Sequence, residues 1–146
     1  MSPAVILLML VAGALVAIQA PINAMLARGL GSAVSAAVVS FAVGLVALAV
    51  VALLTAPRPE TAALRALPPH AWIGGLMGAV FVASAAWAAP RLGIAWLLVL
   101  TIAGQLAAAL VIDHFGLLGA PRQPATAARL AGLALVLAGA ALMRRA

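Results

Sequence analysis

Residues 32–56 read SAVSAAVVSFAVGLVALAVVALLTA, with no charge and no proline. A helix rises about 1.5 Å per residue. About 20 apolar residues cross a hydrocarbon core of about 30 Å, and this stretch exceeds that. It does not alternate in polarity, and it is well over the roughly ten residues of a membrane barrel strand. In lipid each backbone amide must be satisfied within its own segment, so the stretch reads as a transmembrane helix.

The rest of the chain repeats this pattern. Charges punctuate the sequence, leaving uncharged runs at 1–27, 29–57, 66–90, 92–112 and 130–143. The first four are long enough to span. The fifth is shorter, but Arg129 can snorkel towards the headgroups and extend it back to about Ala125. Five spans are expected, at about 4–27, 32–56, 71–89, 93–113 and 126–143. The expected fold is an all-α membrane protein, one five-helix domain over 1–146. Residues 1–27 lack a basic n-region and a good cleavage site, so they read as the first span rather than a signal peptide.

Composition agrees. The chain is 68% hydrophobic and 7% charged, against about 25% charged in a soluble domain. The net charge of +6 comes from eight arginines, with Glu60 and Asp113 as the only acids. The arginines stand mostly singly between apolar runs. They form no basic patch of the kind a nucleic-acid partner requires; lipid headgroups fit them better. There is no cysteine, which excludes disulfides and thiolate chemistry. No metal cluster, phosphate loop or catalytic triad is readable, and the two acids are too far apart in sequence to suggest an acid/base pair. Neither enzyme activity nor a cofactor is expected.

Tight turns are expected at Arg28-Gly29-Leu30-Gly31 and Pro90-Arg91-Leu92-Gly93. Between Pro57 and His70, Thr61–Leu67 can form a short interfacial helix with Glu60 near its positive end. Gly116 is expected to cap the fourth span. Small residues spaced four apart (Gly74 and Gly78; Ala36, Ser40 and Gly44; Gly104 and Ala108) let helix backbones approach closely.

Positively charged loops normally stay in the cytoplasm. With five spans, the N-terminal side holds Arg58, Arg65, Arg122 and Arg129. The other side holds Arg28, Arg91, Arg144 and Arg145. Four against four gives no orientation. Insertion both ways, with two opposite copies pairing, is one consequence. A single winning orientation, or an oppositely inserted partner chain, is the other.

Polar groups inside spans are costly and therefore candidates for function. Gln19 and Asn23 share a face of span one, beside Pro21. Thr101 and Gln105 share a face of span four, with Gln105 near its middle. Ser35, Ser40 and Ser84 can instead bond back to their own helices, although Ser40 also stands on a possible pathway. Asp113-His114 ends span four, and a carboxylate there opposes the helix dipole. The pair reads either as a proton-coupling or gating element or as an interfacial stop with a local salt bridge. Trp72, Trp87 and Trp96 suit interface anchors, and Trp87 could also stack on a cationic ligand.

Several motifs occur in order: Gln19-x-x-x-Asn23, Ser40-Phe41-x-x-Gly44, Trp72-x-Gly74-Gly75-x-x-Gly78, Pro90-Arg91-x-Gly93, Gly104-Gln105 and Asp113-His114-Phe115-Gly116. With the spans, they resemble the YdcZ-like inner-membrane exporters of the drug/metabolite transporter superfamily, over about the whole chain. The resemblance implies a bacterial inner-membrane secondary transporter, one half of a ten-helix inverted-repeat assembly. The partner would be a second copy or a paired homologous chain in opposite orientation, and the substrate a small molecule. Gln19, Asn23, Ser40, Gln105 and Trp87 would line the pathway, and Gly44, Gly74, Gly75, Gly78 and Gly104 would pack helices. The small multidrug exporters of the superfamily carry a glutamate deep in their first helix. Here the region holds neutral Gln19 and Asn23, which leaves Asp113 and His114 to couple protons. A small ion channel and a non-transporting membrane subunit are the other readings.

Overall fold

The computed structural model describes residues 2–57 and 60–145, with nothing taken from the side chains of Thr61, Arg144 and Arg145. Arg58, one of the charges in the topology count, lies outside the described residues. Six α-helices follow in order: α1 (Pro3–Leu30), α2 (Ala33–Thr55), α3 (Thr61–Arg65), α4 (Gly74–Leu92), α5 (Ile94–Phe115) and α6 (Ala127–Arg145). Short 3-10 turns occupy Pro69–Trp72 and Leu117–Gly119. No strand occurs among the described residues.

Four helical segments among the described residues are long and apolar enough to cross a membrane: α1, α2, α4 with the turn before it (Pro69–Leu92), and α5. The apolar part of α6, Ala127–Met143, is shorter. Large side chains such as Leu45, Leu48, Leu53 and Leu54 are exposed along α2, which in water would be untenable. The buried apolar set is almost all alanine, joined by Val82 and Leu97. Lipid offers no hydrophobic gain from packing helices together, so small residues and close backbones do that work.

The chain divides into two compact units, Met1–Arg91 and Leu92–Ala146. In the first, α1 and α2 form a helical hairpin. It turns at Gly31, whose φ of 69° ends α1, and Ser32 caps α2 by accepting the Ser35 N–H. Ala20 and Ala24 of α1 and Ala36 and Ala37 of α2 are buried. On α4 the buried residues are Val82, Ala85, Ala86 and Ala89, a single face at helical spacing. Phe41 of α2 lies over Gly78 of α4, where an added Cβ would stand 3.3 Å from the ring. Gly78 is thus a point of close approach. No neighbour stands within 4 Å of where a Cβ would sit at Gly44, Gly74, Gly75 or Gly104.

The turn expected at Pro90–Gly93 needs correction. Pro90 lies inside α4, which runs on to Leu92. The helix breaks at Gly93, with φ 77°. Proline removes one helical hydrogen bond, but within a membrane helix that loss is tolerated; the left-handed conformation at Gly93 is what a side chain would resist. The first turn is shifted in the same way, with Gly29 and Leu30 still helical. In the loop between α2 and α4, α3 begins after Glu60, as expected.

In the second unit, α5 packs against α6. Gly116 ends α5 with φ 63°, and its N–H reaches the carbonyls of Asp113 and Ile112. An added Cβ there would meet the Arg122 side chain at 3.3 Å, so both conformation and space favour glycine.

Candidate functional site

In the first unit, α1 presents Gln19 and Asn23 one turn apart beside the packed Ala20–Ala24 stripe. Asn23 is buried, at 4% exposure, and Gln19 is half-buried. Pro21 sits between them without breaking the helix. Ser40 and Gly44 are half-buried on α2, on the same face as the fully enclosed Ala36. Ser84 is exposed on α4. Among the described residues, the hydroxyls that bond back to their own helices are those of Thr55, to Val51 at 2.8 Å, and Thr101, to Leu97 at 2.8 Å. The expected serine back-bonds are not found there.

Trp87 is 57% exposed near the end of α4. The Arg91 guanidinium sits 4.1 Å from its ring centroid, and Arg91 Nη1 donates to the Trp87 carbonyl. One ring face is therefore taken by the protein's own cation. A cavity of about 300 Å³ at this end of the unit is lined by Arg28, Gly31, Ser32, Trp87 and Arg91, with alanines of all three helices.

In the second unit, Gln105 lies halfway along α5 and is exposed. Thr101, its neighbour on the same face, turns its hydroxyl to its own backbone. Nothing among the described residues gives the Gln105 side chain a hydrogen bond.

Asp113 and His114 sit in a tight polar cluster. Arg129 of α6 meets the Asp113 carboxylate at 3.2 Å and also donates to Gln123 Oε1 at 2.7 Å. The Asp113 carbonyl accepts the Gln123 N–H at 2.7 Å. His114 Nδ1 accepts the Ala125 N–H at 3.1 Å, so the ring proton of the neutral form lies on Nε2. The Arg122 Nε–H donates to the His114 carbonyl. The last turn of α5 thus holds the returning loop and the first turn of α6 in place. The carboxylate that opposes the helix dipole is compensated, and by an arginine. A groove of about 340 Å³ between α5 and α6 has Asp113 and Arg129 among otherwise apolar lining residues, including Leu106, Leu110 and Leu133.

Sequence reasoning missed the partnership of Asp113 with Arg129 and Gln123, which only the return of the loop creates. It also missed Arg28 and Arg91 on one cavity, although the i, i+4 spacing of Trp87 and Arg91 was a readable signal. No group of three or more metal-ligating side chains occurs among the described residues.

Long apolar helices, small-residue packing and isolated polar groups on helix faces define a multi-pass α-helical membrane protein. The chain matches, over residues 4–142, the family described as "Putative inner membrane exporter, YdcZ". It belongs to that family of the drug/metabolite transporters and is a multi-pass protein of the inner membrane. No curated protein and no solved structure matches it.

Proposed function

We propose that the protein is a small secondary transporter that exports a small molecule as an antiparallel pair. Each copy contributes five spans, α6 being the fifth, to a ten-helix inverted repeat. The observation that carries this reading is the exposure of Gln105 at mid-helix. Moving an unpaired amide from water into hydrocarbon costs about 4–8 kcal/mol. A helix apolar on every other face has reason to place that residue against a partner or a water-filled cavity. Inverted pairs place substrate sites near the midplane, at the interface of the repeats. The open small-residue positions Gly44, Gly74, Gly75 and Gly104 give such a partner room to approach. The balanced arginines leave both orientations accessible.

Gln19, Asn23, Ser40 and Gln105 then contact substrate, with the free face of Trp87 at the pathway's end. Asp113 and His114 couple or gate, through the loop that Arg129 and Asp113 hold between them.

Proteoliposomes loaded with a mixed metabolite extract test this reading, with mass spectrometry of the retained contents. Selective, saturable release, accelerated by the same compound outside, is expected. Unselective release of small ions identifies a pore. Retention equal to that of protein-free vesicles identifies a non-transporting subunit.

A further inference from the structure

The cavity at the turn end of α1, α2 and α4 joins two cations to a polar helix start. Arg28 and Arg91 both line it, together with Gly31 and Ser32. The first-turn amides of α2 begin here, and the positive end of a helix dipole favours an anion. Arg91 is pre-positioned by its contact with Trp87 and its bond to the Trp87 carbonyl. Only part of its five-donor guanidinium is engaged there.

The described residues that line the cavity supply no counter-charge. No acid lines the cavity. Of the two acids in the chain, Asp113 is held by Arg129. Glu60 follows the far end of α2, about 35 Å away along a helix of 23 residues. Two exposed guanidiniums on one cavity without a carboxylate favour an anion from outside.

The surroundings specify its chemistry. The cavity lies where three apolar helices end, the depth of lipid headgroups in a spanning protein. Its inner wall is alanine, and Trp87 is a residue type that favours the headgroup layer. Two cations on one cavity, beside the positive start of a helix, suit the charge of a phosphate group.

We infer that Arg28, Arg91 and the start of α2 hold the phosphate of a membrane phospholipid, whose acyl chains run down the adjoining apolar helix surface. The site shares Trp87 with the end of the proposed pathway, but its assignment stands whether or not the protein transports.

The test is native mass spectrometry of the full-length protein released from detergent, titrated with phosphatidylglycerol, with diacylglycerol, or with inorganic phosphate. One phosphatidylglycerol should be retained about ten-fold more tightly than diacylglycerol. The double variant R28Q/R91Q should lose about ten-fold of that affinity, while R65Q, at the exposed end of α3, should bind as the wild type. R28K/R91K, which keeps the charge, should bind within about three-fold of wild type, which also shows that the fold survives substitution. Unchanged affinity in R28Q/R91Q would overturn the assignment, as would equal loss in the lysine variant. Displacement of the lipid by about 1 mM inorganic phosphate would mean a site for a free anion, and would overturn it as well.

Discussion

Gln105→Leu is expected to abolish export, by at least ten-fold in rate, while leaving the paired protein intact. Leucine has similar bulk and is fully at home in lipid, so the substitution removes only the amide. If the amide contacts substrate in the pathway, every decade of lost rate corresponds to about 1.4 kcal/mol of missing interaction. If it merely bridges helices, such bonds contribute about 0.6 kcal/mol on average and at most about 2. That is too little to hold two five-helix copies together. Release from loaded proteoliposomes and the mass of the purified particle separate the two roles. Normal export by Gln105→Leu would remove this residue from the pathway. Loss of the pair would make it an assembly contact instead.

The second large effect is expected at Asp113. Asp113→Asn keeps the shape and discards the charge that meets Arg129 at 3.2 Å. Both side chains are about one-third exposed, so the pair is partly screened, but Arg129 also ties Gln123 and hence the loop. A loss of about 1–2 kcal/mol is expected for Asp113→Asn and for Arg129→Gln alone. Combined, they should cost less than the sum, because the second change removes a charge already orphaned by the first. Thermal unfolding in detergent measures all three. Hydrogen exchange should accelerate at Gln123 and Ala125, whose amides bond to Asp113 and His114. Export by Asp113→Asn should also stop responding to an imposed pH gradient. An unaltered pH response beside lowered stability would reduce Asp113 to a structural clamp.

The four long apolar segments were legible because charge alone marks them: each uncharged run of sufficient length became a helix. Gly116 as a cap, Glu60 before a short helix and the need to compensate Asp113 were also readable from single residues. Helix ends were less so. Pro90 looks like a stop by rules learned in water, whereas the helix ends two residues past Arg91, at a glycine with positive φ. The partner of Asp113 was not readable, since Arg129 is brought to it by the loop's return path. Arg129 had been expected to reach for headgroups; it reaches the end of α5. The small-residue motifs were visible, but a single copy uses only Gly78 among the glycines named as packing sites, against Phe41. The others have no neighbour within 4 Å of an added Cβ, and only under the proposed pairing would a second chain meet them.

Orientation is the most direct test. The chain has no native cysteine, so Ala66→Cys, exposed just past α3, places one thiol in the loop between α2 and α4. Intact cells are labelled with a membrane-impermeant maleimide before and after permeabilisation. The antiparallel account predicts that about half of the molecules react from outside, in keeping with balanced arginines. Labelling of all molecules, or of none, would contradict it and would require an oppositely inserted partner chain.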